Sequence, residues 1–112
     1  MTCNLYMRSI YMVAVDVFFL YRDQIFVWNR QKAMENWAKH GVAFETACEA
    51  FFDDLSVYVD ATADEERRSA VIGLSEARGL LFVVHVEQEG DTVRIVSARV
   101  ATKRERKIYE DG

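Results

Sequence analysis

The chain has 112 residues, 51% of them hydrophobic and none of them proline, and carries a formal net charge of −4. That length closes one hydrophobic core and no more, and the mildly acidic balance excludes a uniformly basic nucleic-acid module, so any RNA contact has to come from a local patch. The two cysteines, Cys3 and Cys48, sit at no metal or redox spacing, which excludes a disulfide framework and a zinc site and makes a reducing cytoplasm the simplest setting.

Ile10 to Tyr21 is apolar apart from Asp16. It is too short to cross a membrane and has no small-residue cleavage site after a basic start, so neither an anchor nor an export signal is expected. Its Val13, Val15, Val17, Phe18, Phe19 and Tyr21 read as an extra strand, an aggregation hazard if left unpaired. Ile25-Phe26-Val27-Trp28 is the next strand, and Asn29 caps a helix that Gly41 closes. A helical step of about 100° puts Ala33, Met34, Trp37 and Ala38 on a burying face. Lys32, Glu35, Asn36 and Lys39 lie opposite, with His40 at the boundary. Phe44, Ala47, Cys48 and Phe51 recur at helical spacing, which predicts a second amphipathic helix to about Phe52 with Cys48 as an inert buried thiol.

Val57-Tyr58-Val59 follows as a strand, then an acidic loop at Asp64, Glu65 and Glu66. From Arg67 to Ser75, Ala70, Ile72 and Leu74 alternate with more polar neighbours, the period of a half-buried strand, and Ser75 to Gly79 turns the chain back antiparallel. Leu81 to Gln88 and Thr92 to Val100 form a hairpin around Gly90-Asp91. A two-residue turn there pairs Glu87 with Arg94 and His85 with Val96. It aims Phe82, Val84, Val86 and Ile95 at the helices, and a slip of one residue would exchange the faces. Thr102 and Glu105 spell a capping box for a last, basic helix containing Lys103, Arg104, Arg106 and Lys107. The order gives an α+β domain: an antiparallel sheet with two N-terminal helices and one C-terminal helix packed on one side of it.

Two segments carry more than fold. Lys39-His40-Gly41-Val42-Ala43-Phe44-Glu45 spans the junction of the first two helices, and Val93-Arg94-Ile95-Val96-Ser97-Ala98-Arg99-Val100-Ala101-Thr102 runs into the last helix with its Glu105, Arg106 and Tyr109. With Trp28, Lys32, Asn36, Phe51-Phe52-Asp53, Glu66-Arg67, Ile72-Gly73 and Arg78, they make the stretch from Ile25 to Glu110 resemble the BrnT family of bacterial toxins. The resemblance implies a RelE-like fold and endoribonuclease activity on messenger RNA. It also implies a BrnA-like antitoxin partner in a cytoplasmic hetero-oligomer. Family members usually begin near Ile25, so residues 1–24 read as an N-terminal extension, from an upstream start codon or a lineage-specific addition, and residues 25–112 as the toxin domain. The chain departs from many relatives at Asp54, where a proline is common, at Gln88, where an arginine is frequent, and at Val100, where a lysine often stands.

Metal-free cleavage of RNA needs a base for the 2′-hydroxyl proton, cations for the phosphate and an acid for the departing oxygen. No cofactor or metal is expected, since two histidines without ligand spacing make no metal site. His40, Arg67, Arg94 and Arg99 are the catalytic candidates; Lys32, Lys39, Arg78 and Tyr109 are the substrate-binding ones. Most of these have a structural alternative. His40 could simply bond the last helical carbonyls, and Arg99 and Arg67 could pair with Glu105 and Glu66. The lysines could serve solubility, and Tyr109 could anchor the last helix. His85 could be an acid beside Arg94 or a satisfied core histidine. A catalytically inactive member that acts only in an autoregulatory complex with its antitoxin is the alternative function, motivated by Gln88 and Val100.

Overall fold

Arg22 and Asp23 both adopt positive φ, 50° and 68°, the two-residue hairpin geometry whose twist matches its flanking strands. They join β1 (Asp16–Tyr21) to β2 (Gln24–Asn29) as an antiparallel pair. The computed structural model describes residues 15–63, 66–88 and 90–112; the first part of the expected early strand, Cys3, and the acidic Asp64 and Glu65 lie outside these residues. Alternation along β1 sends Val17, Phe19 and Tyr21 into the core, where Phe19 meets Trp28 at 5.8 Å and Tyr21 meets Phe52 at 5.4 Å between ring centroids. Phe18 and Leu20 stay exposed on the other face.

Asn29 caps α1 (Arg30–His40) as the sequence predicts, its side chain accepting from the Lys32 N–H at 2.9 Å. Gly41 ends the helix with φ 66° and donates its N–H to the Trp37 carbonyl. The buried face differs from the helical-wheel reading. Trp37 and Met34 are 59% and 58% exposed, whereas Asn36, placed on the polar side, is 6% exposed. The reason is a backbone need. α1 begins where β2 stops pairing with its neighbour strand at Arg94, and the Asn36 amide acts as a surrogate strand for Ala98, accepting its N–H at 3.0 Å and donating to its carbonyl at 2.8 Å. A second donor hydrogen of Asn36 reaches the Val42 carbonyl at 3.0 Å. Hydrogen-bond satisfaction outweighs the burial of two apolar side chains here.

The expected second helix divides into a short α2 (Phe44–Ala47) and a 3-10 helix (Cys48–Phe52). It winds tighter where its backbone is pressed onto β4 (Ser69–Ser75): a Cβ at Gly73 would run into the Ala50 carbonyl oxygen, so only glycine permits the approach. Cys48 is buried as expected, burial pushing its thiol pKa up, and its sulfur lies 3.3 Å from the Phe44 carbonyl oxygen.

Among the described residues six strands form one sheet in the order β1-β2-β6-β5-β4-β3, with β3 Val57–Asp60, β5 Gly79–Gln88 and β6 Thr92–Val100. The sheet is mixed rather than antiparallel. β2 and β6 run parallel, Val27 opposite Arg94, because the intervening elements bring early and late strands side by side.

The β5–β6 hairpin also corrects the predicted register. Gln88 pairs with Thr92, leaving a three-residue loop in which Gly90 and Asp91 take φ 79° and 59°. Val86 therefore faces Arg94 and His85 faces Ile95. Leu81, Val83 and His85 point to the helices, while Phe82, Val84 and Val86 take the opposite face, the exchange that a slipped register produces. A bulge follows: Val84 pairs with Ser97, so Val96 is the extra residue.

α3 (Lys103–Asp111) opens with the expected capping box, Thr102 and Glu105 each accepting the other's backbone N–H. It lies on the face opposite α1, α2 and the 3-10 helix, not beside them. Its Glu105 holds Arg99, which stacks over Phe82, and Gly112 abuts Val57 on the same sheet face. Asp53 ties this helix to the other elements, accepting from the Leu55 N–H at 3.0 Å, the Leu74 N–H at 2.8 Å and the Tyr109 hydroxyl at 2.7 Å.

Asn36→Ala leaves the Ala98 N–H and two carbonyls without partners in a buried setting and should cost about 3 kcal/mol in urea unfolding; a loss under about 0.5 kcal/mol would refute the surrogate-strand role. Burial works to raise the Asp53 pKa, but the bonds from Tyr109, Leu55 and Leu74 outweigh it and hold the carboxyl below its usual range. Its contribution to stability is thus complete above pH ~4, the ordinary unfolded value, and is lost as pH falls through the lowered native value. Tyr109→Phe should flatten that acid dependence and cost about 1 kcal/mol at neutral pH, read from denaturation between about pH 2 and 7.

Candidate functional site

Asp60, Ser69 and His85 lie abreast across β3, β4 and β5 on the face that carries the 3-10 helix. The small serine between two larger side chains leaves a hollow beyond the end of the helix layer. Tyr58 walls it from the next row, and Arg67, Arg68 and Glu87 complete a cleft of about 770 Å³.

His85 forms its floor. It is 2% exposed, with its ring 4.8 Å from Phe51 and 5.7 Å from Tyr58 in edge-on contacts. Its Nδ1 sits 3.2 Å from the Val83 carbonyl oxygen; a carbonyl only accepts, so Nδ1 carries the proton and Nε2 keeps its lone pair. Burial lowers the His85 pKa against the smaller opposing effects of the Val83 carbonyl and Glu87, which keeps the ring neutral near pH 7. The Tyr58 pKa is raised, first by burial and then by the Glu87 charge, so its phenol remains protonated. Arg68 is engaged, Nε donating to Glu66 at 2.9 Å. Among the described residues no hydrogen bond holds the side chain of Arg67, which lines the cleft near enough to Asp60 for its charge to help lower that carboxyl's pKa. A neutral imidazole acceptor, a protonated phenol and a guanidinium thus share one hollow, the set that moves a proton beside a bound phosphate.

The other predicted residues fall into separate groups. Lys39 and His40 end α1, and Arg78 reaches the glycine that follows them, its Nη2 3.3 Å from where a Cβ on Gly41 would lie. Lys32 is exposed in the first turn of the same helix. Arg94 and Arg99 share the opposite face of the sheet, and both are occupied. Asp16 takes both terminal nitrogens of Arg94 at 3.1 and 2.8 Å, and Glu105 takes those of Arg99 at 2.7 and 2.8 Å while the Phe82 ring lies 4.4 Å from its guanidinium. The Tyr109 pKa is pushed up to about 12 by its bond to the Asp53 carboxylate, an anchoring arrangement. Of the eight residues singled out, the structure places only Arg67 in the cleft.

Sequence reasoning left His85 between two readings, and it missed Tyr58 and Glu87. The alternation of Val57-Tyr58-Val59 did carry a signal, because it sets Tyr58 apart from two apolar neighbours. What it could not supply was the register of β3 and β5 on β4, which brings Tyr58 and His85 to one face.

A comparison with curated proteins finds no match. A family model described as "Ribonuclease toxin, BrnT, of type II toxin-antitoxin system" matches residues 28–105, from the end of β2 through the first turn of α3, and leaves β1 outside. Most of the sheet, both faces of it and the whole cleft fall inside that match, and the chain belongs to the BrnT family of ribonuclease toxins of type II toxin–antitoxin systems.

Proposed function

We propose that the chain is an endoribonuclease that cleaves messenger RNA without a metal and is neutralised by a BrnA-like antitoxin in a hetero-oligomer, in the cytoplasm of a bacterial cell. The fold is read as RelE-like, with residues 25–112 as the toxin domain and residues 1–24 as an addition to it. One observation carries the reading: His85, Tyr58 and Arg67 line a single cleft within the family-matched stretch.

In this reading Arg67 holds the scissile phosphate and stabilises the charge that develops on it. The Nε2 of His85 accepts the 2′-hydroxyl proton as that oxygen attacks phosphorus, and the Tyr58 phenol donates a proton to the departing 5′-oxygen. The products are a cyclic phosphate and a free 5′-hydroxyl, so no water or external reactant enters the step. Lys39 and Arg78 supply positive charge beside His40 at the end of α1, placed to hold RNA beyond the cut.

A second reading, an inactive member that works only in an autoregulatory complex with its antitoxin, is favoured by the neutralised state of Arg94 and Arg99 and by Gln88 and Val100, exposed where relatives are often basic.

Incubating the purified full chain with unstructured RNA separates the two. His85→Gln should slow cleavage about 10²- to 10⁴-fold and Arg67→Ala about 10²-fold, with circular dichroism and melting showing the fold retained. Because the His85 pKa is lowered from 6.5, the rate should hold down to pH values below that figure and then fall, and the acid limb should vanish in His85→Gln. Cleavage that is unchanged in both folded variants, or absent from the parent chain, sinks the cleft assignment.

A further inference from the structure

The two terminal nitrogens of Arg94 each bind one oxygen of the same carboxylate, at 3.1 and 2.8 Å. Two oxygens on one atom, presented in the plane of a guanidinium, is also how a phosphodiester engages arginine. The carboxylate comes from Asp16 on β1, outside the stretch that matches the family, whereas Arg94 lies inside it. Asp16 holds this position because β1 is registered on β2, Phe18 opposite Val27, and Val27 is in turn opposite Arg94. Neither group is sealed: the side chains of Arg94 and Asp16 are 28% and 36% exposed, so a competing anion reaches the guanidinium without the sheet opening.

We propose that Arg94 is a phosphate-binding site for single-stranded RNA on the face opposite the cleft, and that Asp16 is its built-in competitor, so that β1 weakens the grip of this face on RNA. The choice of RNA as ligand rests on the nuclease reading above. Arg99 does not share this control, since its carboxylate comes from Glu105, a residue within the family-matched stretch, and its guanidinium is also stacked on Phe82.

Binding of a fluorescently labelled RNA oligonucleotide to the full chain, followed by anisotropy across a range of salt, tests the site without requiring turnover. All proteins carry His85→Gln so that the RNA stays intact. Asp16→Asn, which keeps the shape and removes the charge, should tighten binding about fivefold, the scale of an exposed ion pair, and steepen the salt dependence by about 0.7, one more phosphate on a single strand. Asp16→Glu should stay near the parent. Adding Arg94→Ala to Asp16→Asn should abolish the gain. Equal affinity in Asp16→Asn and its parent overturns the proposal, and so does a gain that survives in the double variant, because it would then reflect net charge alone. Tighter binding by a free carboxylate-bearing peptide but not by RNA would overturn it as well, making the face a protein site. Failure of cleavage in the His85 experiment leaves this result readable, and failure here leaves cleavage at the cleft intact.

Discussion

One extra residue in one strand organises most of this molecule. Along a regular strand, side chains three apart face opposite ways, yet Ile95 and Ala98 both belong to the core. The bulge at Val96 resolves the conflict by skipping a beat in the pairing with β5. The same skipped beat turns Arg94 and Arg99, five apart, to the same outer face, while beyond the end of the β2 pairing at Arg94 the Ala98 backbone is satisfied by Asn36 from α1. The core side of β6 and the outer arginine face both follow from that one irregularity.

How far the sequence disclosed this depends on whether the relevant force was local. Caps and turns are local, and Asn29, Gly41 and the Thr102–Glu105 box behave as their residue types require. The face of α1 was misread because a helical wheel ranks apolar side chains, whereas the fate of Asn36 was decided by a strand some sixty positions later in the chain. The hairpin was misread by one residue. Both a two-residue and a three-residue loop accommodate Gly90 and Asp91 at positive φ, and only the pairing partners choose between them. His85 was difficult for a related reason: a histidine among valines reads as core, and it is indeed buried, but the edge that remains lies at the floor of a hollow made by Ser69, a residue with no signal of its own.

Family resemblance and physical reading supplied different things. The motif around Arg94 and Arg99 identified the family, but its two arginines are held in carboxylate pairs on the face opposite the cleft, so the recognisable residues are not the ones that line it. Arg67, named for its place beside Glu66, lines the cleft together with Arg68, and it is Arg68 that Glu66 bonds. Resemblance marks which positions matter to a lineage; hydrogen bonding decides which of them are occupied by structure.

Gly73 gives the architecture a point of fragility remote from any chemistry. The 3-10 helix rests on β4 only because that residue has no side chain, and the helix in turn carries Phe51, the ring against which His85 is seated. A single added methyl group at Gly73 would lift this support while leaving every cleft residue in the sequence. In a population under pressure to escape the toxin, silencing mutations therefore have a target in a plain structural glycine as well as among the cleft residues.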